Sequence, residues 1–181
     1  MIELLIVIAV LGILAVAVLS AINPIEQINR SRDTASKSDA EQLLSAVDRY
    51  NASRGLWPWQ DKTDDPAAVT WGQVTATYPK GSTCAMLTNL STSTDPNCPG
   101  TDEIKASFVN RITDTKNNAL FIEYGGQTGN SVYVCFNPQS GSFKKEAEDR
   151  CKSAPADYPT TACGSCPKTS LGQSDNCVCL P

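Results

Sequence analysis

An uninterrupted apolar segment at the amino terminus constrains this chain more than any other feature. Leu4–Leu19 contains sixteen consecutive residues with no polar side chain, and one acid, Glu3, precedes them. As a helix, Met1–Ile22 would be about 33 Å long, close to the roughly 30 Å hydrocarbon thickness of a bilayer. A helix on the surface of a soluble protein has a polar face, and this segment has none. The sequence therefore predicts a helix that lies in lipid or is surrounded by other protein.

Three interpretations account for such a segment. A secretory signal peptide begins with a basic region, whereas the first basic residue here is Arg30. A plain membrane anchor would have to hold Glu3 near the headgroups, because an unpaired carboxylate inside the bilayer costs on the order of 3 kcal/mol. In the third interpretation the helix is stored in the membrane and then packs against copies of itself. A cation of a neighbouring copy would then neutralise Glu3.

The segment Ile2–Ala15 resembles the amino-terminal signature of type IV pilins and the related pseudopilins. A single acid, Glu3, directly before a long apolar run carries the resemblance, which extends over residues 1–55. It implies that a prepilin peptidase removes a basic leader and that the mature chain begins shortly before Met1, at a methylated residue. It also implies that Glu3 pairs with the terminal amine of a neighbouring subunit. Beyond residue 55 only the layout is similar.

We expect an interruption of the helix within residues 18–24. Pro24 has no backbone N–H, and a proline inside a helix costs about 3 kcal/mol. Ser20 stands where many members of the family carry proline, so the interruption is displaced. Gly12 is either a second weak point, because glycine has poor helix propensity, or a site of close helix packing. The residues expected to concern filament assembly are therefore Glu3, Gly12, Asn23 and Pro24.

The helical period continues beyond Pro24, now with polar residues on one side. Small and apolar residues recur on one face up to Tyr50, and Gly55 supplies a usual helix stop. This face is expected to pack on a folded head through Leu43, Leu44, Val47 and Tyr50. The chain then divides into an apolar helix at 1–24, an amphipathic helix at 25–55, a connecting region at 56–118, and a sheet with a cysteine-rich end at 119–181.

The remaining residues predict a small sheet. Ala119–Tyr124 and Ser131–Phe136 are β-branched and aromatic segments separated by a glycine-rich turn, which favours an antiparallel hairpin. Ser142–Lys145 could add a third strand, and short elements are expected around Trp71–Thr77 and Ile104–Ile112. The predicted fold class is α+β, with the long amino-terminal helix packed on a small antiparallel sheet and a disulfide-stapled carboxy-terminal region.

Eight cysteines, all in the head, are an even number in a loop-rich region and predict four disulfides in an oxidising compartment. Their order along the chain favours the pairs Cys84–Cys98 and Cys135–Cys151. The last four would then pair among themselves, Cys163 and Cys166 with Cys177 and Cys179. An alternative is a four-thiolate zinc site on these four, although one intervening residue in Cys177-Val-Cys179 is shorter than the usual spacing.

Composition excludes several classes of function. The chain has no His, so it has no Ser-His or Cys-His catalytic pair and no Cys-x-x-Cys-His haem attachment. Its 15 basic and 19 acidic residues give a net charge of −4, which disfavours nucleic acid as a partner. Asp64-Asp65 and Asp102-Glu103 are expected to be solvated acids. We therefore expect neither an enzyme nor a cofactor or bound metal.

Two local features have competing interpretations. Trp57-Pro58-Trp59 could form an exposed aromatic binding site, but packing at the joint between helix and loop is the favoured interpretation. Asn89-Leu90-Ser91 matches the N-glycosylation triplet, and its predicted loop position makes it the most plausible acceptor of its kind in the chain.

The resemblance thus implies that the chain is the major structural subunit of a type IV pilus, a homopolymer that the pilus assembly machinery builds from subunits held in the cytoplasmic membrane. A pseudopilin of a type II secretion or DNA-uptake machine and a membrane-anchored extracellular binding module are the alternatives. Arg30 and Arg32 follow the apolar segment and would tend to stay cytoplasmic, whereas the cysteines favour an exported head. A basic leader upstream would resolve this conflict by outweighing the two arginines.

Overall fold

The computed structural model describes residues 2–21, 23–114, 119–168 and 172–181. It begins with helix α1 (Ile2–Ala21), whose large apolar side chains are 50 to 73% exposed. Helix α1 is the one candidate membrane span among the described residues, by length and composition. Because α1 buries almost none of its surface within the chain, its stability depends on an apolar environment that the chain itself does not supply.

The helix is interrupted between α1 and α2 (Pro24–Arg54), as the sequence predicts. Asn23 is the N-cap of α2, and its side-chain oxygen accepts a hydrogen bond from the N–H of Glu26 at 3.3 Å. Pro24 occupies the first helical position, where its missing N–H leaves no intrahelical bond unmade. Helix α2 ends at Gly55, whose φ of 69° is a backbone conformation that glycine adopts without strain.

One face of α2 packs on a four-stranded antiparallel sheet. The strands are β1 (Val69–Gln73), β2 (Leu120–Tyr124), β3 (Val132–Phe136) and β4 (Val178–Leu180), hydrogen-bonded in that order. Strands β2 and β3 form the predicted hairpin, and β1 overlaps the element expected around Trp71–Thr77 but begins two residues earlier. The sheet therefore includes one strand from the connecting region at 56–118.

The described part of the head has three further α-helices, α3 (Met86–Leu90), α4 (Ala106–Thr113) and α5 (Gly141–Lys152), and a short 3-10 helix at Thr160–Ala162. Helix α4 coincides with the element expected around Ile104–Ile112. The strand predicted at Ser142–Lys145 is wrong, because these residues form the first turns of α5. Lys, Glu and Ala in this segment favour a helix, and the i,i+4 ion pair between Glu148 and Lys152, at 2.8 Å, supports it.

The sheet has a separate core on each face. On the first face, α2 contributes the predicted packing residues: Leu43 and Val47 are fully buried, Tyr50 is 6% exposed and Leu44 is partly buried. On the second face, the carboxy-terminal segment covers the sheet with few large apolar residues. Its buried cluster is Ala119, Phe121, Tyr133, Cys135, Tyr158, Ala162, Cys166, Cys177 and Cys179. Sulfur therefore supplies much of the second core.

Candidate functional site

The exposed length of α1 is the candidate assembly surface, and Glu3 is its only charged residue. Glu3 lies in the first turn of α1 and is exposed. No ion pair among the described residues involves it, and the first basic residue along the chain is Arg30. A cation that neutralises this carboxylate in an apolar environment must therefore come from outside the described part of the chain.

Gly12 lies midway along α1, and a methyl group added there meets no other atom within 4 Å. Gly12→Ala should leave the detergent-solubilised monomer folded and raise the intrinsic stability of the helix by about 1 kcal/mol. If α1 packs on other helices, as the sequence predicts, Gly12→Leu should reduce that association severalfold, since a large side chain holds packed helices apart. Circular dichroism measures the stability of the helix, and the fraction of chain recovered in sedimented assemblies measures the association. Val10→Leu is the matched control, and unchanged association of Gly12→Leu would show that close packing at Gly12 is not needed.

Two acids on α2 hold the start of α5. Asp33 is fully buried and accepts hydrogen bonds from the N–H of Gln139 at 3.0 Å, from the N–H of Ser140 at 2.7 Å and from the Ser140 hydroxyl at 2.6 Å. Glu26 lies two turns earlier and accepts from the N–H of Gly141 at 2.7 Å. These carboxylates satisfy N–H groups at the helix N-terminus, where negative charge is favoured. They fix the position of the head along α2.

The sequence alone does not identify Asp33 as a packing residue, although it carries a signal for this role. It lies on the same helix face as Ser36, Ala40 and Leu43, at the amino-terminal end of the buried stripe. An acid inside an otherwise small and apolar stripe indicates a buried hydrogen-bonded role, because an unpaired buried carboxylate would be strongly unfavourable. Its partner lies 107 residues further along the chain, which is why the sequence does not identify it.

Toward its carboxy-terminal end, α2 is joined to the head by ion pairs. Arg49 pairs with Glu103 at 2.7 Å, and Arg111 pairs with Asp39 at 2.5 Å. Burial raises the pKa of Asp39, and the charge and hydrogen bond of Arg111 oppose that shift. Both cations are about half exposed, so each pair contributes little to stability. Their effect is on the register of the helix against the head.

All eight cysteines form disulfides, in a pattern that agrees with the prediction at two bridges. Cys84–Cys98 forms as expected, and Cys166–Cys177 joins two of the last four cysteines as expected. The predicted Cys135–Cys151 bridge is wrong, and so is the expectation that Cys163 and Cys179 pair within the last four. The two remaining bridges are Cys135–Cys179 and Cys151–Cys163. The reason is topological, since Cys135 on β3 lies directly opposite Cys179 on β4.

The zinc interpretation is wrong, because the four cysteines proposed as ligands are all in disulfides. Cys163, Cys166, Cys177 and Cys179 are each oxidised, and two of them bond to cysteines outside the group. Zinc needs thiolates, and no thiolate remains at these positions. Within the described residues no group of three or more His, Cys, Asp or Glu lies close enough to hold a metal ion.

The carboxy-terminal segment is also held by Asp157. Its carboxylate accepts hydrogen bonds from the N–H of Ser131 at 2.8 Å and from the hydroxyl of Tyr133 at 3.1 Å. These bonds, chiefly that from the Ser131 N–H, hold the pKa of Asp157 below its usual value. Asp157 therefore fastens the segment to the start of β3, next to the disulfides that hold the rest of it.

Two expectations about polar residues are corrected. Asp65 is not a solvated acid: it is 9% exposed and accepts hydrogen bonds from the backbone of Asp61 and from Ser82, and these bonds, above all that from Asp61, lower its pKa. Asn89 is not a loop residue available for glycosylation. It lies in α3, is 5% exposed, and donates a side-chain hydrogen bond to the carbonyl of Pro58 at 2.9 Å.

The aromatic pair after α2 packs, as favoured from the sequence. The rings of Trp57 and Trp59 stack with centroids 5.4 Å apart, and Tyr124 of β2 lies against Trp57 at 4.7 Å. Trp59 is 2% exposed, and its indole N–H donates to the carbonyl of Ala67 at 2.7 Å. The pair therefore closes the far end of the first core and leaves little aromatic surface for a ligand.

No protein-family model, no curated protein and no solved structure matches the chain.

Proposed function

We propose that this chain is the structural subunit of a type IV pilus-like filament, with α1 bundled in the filament core and the disulfide-stapled head on the outside. The observation that carries the proposal is the contrast between the two parts. The large apolar side chains of α1 are at least half exposed, while the head has two complete cores that do not use α1. A helix with no role in its own head is suited to packing with other copies.

The proposed mechanism of assembly is physical. Before assembly, α1 lies in the cytoplasmic membrane, and transfer from lipid to a helix bundle has little net hydrophobic driving force. Packing and the pairing of Glu3 with a neighbour's terminal amine would therefore set the register. Repeated identical contacts between copies build an open helical polymer. The expected partners are other copies of the chain, a prepilin peptidase and the pilus assembly machinery, and the expected location is the cell surface.

Substitution of Glu3 tests this proposal. Glu3→Gln should reduce the rate of filament assembly by more than about tenfold, because the cation of the neighbouring copy would then be buried without its counter-charge, which costs several kcal/mol. Glu41→Gln is the matched control, since Glu41 is an exposed acid on α2. The measurement is the amount of chain sheared from cells as fibres over time. Assembly of Glu3→Gln at the wild-type rate would contradict the pairing of Glu3 with a neighbouring subunit.

A further inference from the structure

The first turns of α2 are an exposed amphipathic segment that the head does not cover. Ile25 and Ile28 are 69% and 53% exposed. Arg30 and Arg32 are exposed too, and neither forms an ion pair with any residue in the described ranges. The next basic residue along α2, Lys37, does form an ion pair, with Glu146 of the head at 3.4 Å. The two arginines nearest to α1 are thus available to another partner.

Helix geometry places these residues as an interfacial anchor would need them. At 100° per residue, Ile25, Ile28 and Arg32 lie within a sector of about 60°, and Arg30 lies on nearly the opposite side of α2. The Cα–Cβ bonds of a helix tilt toward its N-terminus, so the side chains of Arg30 and Arg32 leave the backbone in the direction of α1. Arg30 lies about 9 Å along α2 from its first residue, Pro24, a distance within the thickness of the headgroup layer and the reach of an arginine side chain.

We propose that Arg30 and Arg32 bind the phosphate groups of anionic phospholipids while α1 is in the membrane, with Ile25 and Ile28 at the boundary with the acyl chains. This inference rests on the membrane-inserted state of the proposed pilin. A guanidinium group matches phosphate with two parallel hydrogen bonds. Lipid is favoured over an acidic face of a second copy because the segment follows the candidate span directly, at the depth where anionic headgroups lie.

The proposed contact also accounts for the position of two cations beside the apolar segment. Arginines there oppose export of the head by the positive-inside tendency. Once the head is exported, anionic headgroups of the outer face hold the same arginines at the membrane. The head is then kept at a fixed height until the subunit leaves the membrane, since Glu26 and Asp33 fasten it to the same helix.

Lipid retention by the full-length chain tests the inference. The chain is reconstituted into vesicles of phosphatidylcholine with about 30% phosphatidylglycerol. It is then extracted in mild detergent, and its bound lipids are counted by native mass spectrometry. We expect phosphatidylglycerol to be enriched around the wild-type chain. Arg30→Gln and Arg32→Gln should each lower this enrichment by up to about fivefold, the factor that corresponds to roughly 1 kcal/mol per surface cation.

The control is the double variant Lys62→Gln/Lys80→Gln, which removes the same charge from exposed residues beyond the far end of α2. It should keep the wild-type enrichment. The inference is overturned if Arg30→Gln/Arg32→Gln retains the enrichment, or if the control loses it equally, which would indicate a dependence on net charge alone. Normal lipid retention with lost fibre formation in the arginine variant would assign the segment to a second copy instead. A wild-type chain that does not float with the vesicles would contradict the proposed membrane state itself.

Discussion

Replacing both Cys135 and Cys179 with Ala is expected to lower the free energy of unfolding of the head by about 4 kcal/mol. The bridge joins residues 44 apart in the chain, and the entropy of closing a loop of that length corresponds to about this value. Both side chains are also buried, at 0% and 4% exposure. Loss of the bridge should release β4 and loosen the carboxy-terminal segment, whose core has few large apolar side chains.

Urea unfolding of the full-length chain in detergent, followed by tryptophan fluorescence, measures this effect. Trp71 stacks on Phe121 of the second face, whereas Trp57 and Trp59 pack with the first core. The matched control is Cys84→Ala/Cys98→Ala, which removes a bridge between residues 14 apart in the chain. This variant should lower the free energy of unfolding by about 3 kcal/mol. A loss below about 1 kcal/mol for the Cys135 and Cys179 pair would show that the second face is stable without its cross-strand bridge.

Asp33→Ala is expected to destabilise the head by about 3 to 5 kcal/mol. The buried N–H and hydroxyl of Ser140 would both lose the carboxylate that accepts them, and each buried group left unsatisfied costs about 1–3 kcal/mol. The substitution also removes negative charge from the N-terminus of α5. Hydrogen exchange at residues 139–145 should rise together with the fall in the urea midpoint.

Two variants separate this contact from a general effect of charge on α2. Asp33→Asn keeps one acceptor oxygen and should lose less than Asp33→Ala. Glu26→Ala removes an acid that accepts a single, more exposed hydrogen bond from the same helix terminus and should cost about 1 kcal/mol. If Asp33→Ala were no more destabilising than Glu26→Ala, the head would not depend on the buried carboxylate for its position.

The long helix could be predicted because its signals are local. The unbroken apolar segment, Pro24 and the buried stripe through Leu43 and Val47 each act within a few turns of helix, and the structure has the interruption and the buried face where the sequence predicts them. The hairpin of β2 and β3 was also predictable, because both strands and their turn are consecutive in the chain.

The features that could not be predicted depend on contacts between distant residues. Cys135 pairs with Cys179 because β4 returns to lie beside β3, and chain order favours a nearer partner. Asp33 and Glu26 hold the N-terminus of α5, and neither acid is near Ser142–Lys145 in sequence, although the composition of the segment also favours a helix locally. Asn89 looks like a loop acceptor until α3 and its bond to Pro58 are known. In each case the structure adds a contact between residues that are far apart in the chain.

Electron cryo-microscopy of material sheared from the surface of cells that make this chain tests the central claim most directly. The account predicts fibres whose mass spectrum is dominated by the chain, with α1 helices bundled along the axis, each Glu3 carboxylate within ion-pair distance of a neighbour's amine, and the four disulfide bridges in the outer heads. A chain that is abundant in the membrane fraction but remains monomeric, with no fibre that contains it under any growth condition, would contradict the account.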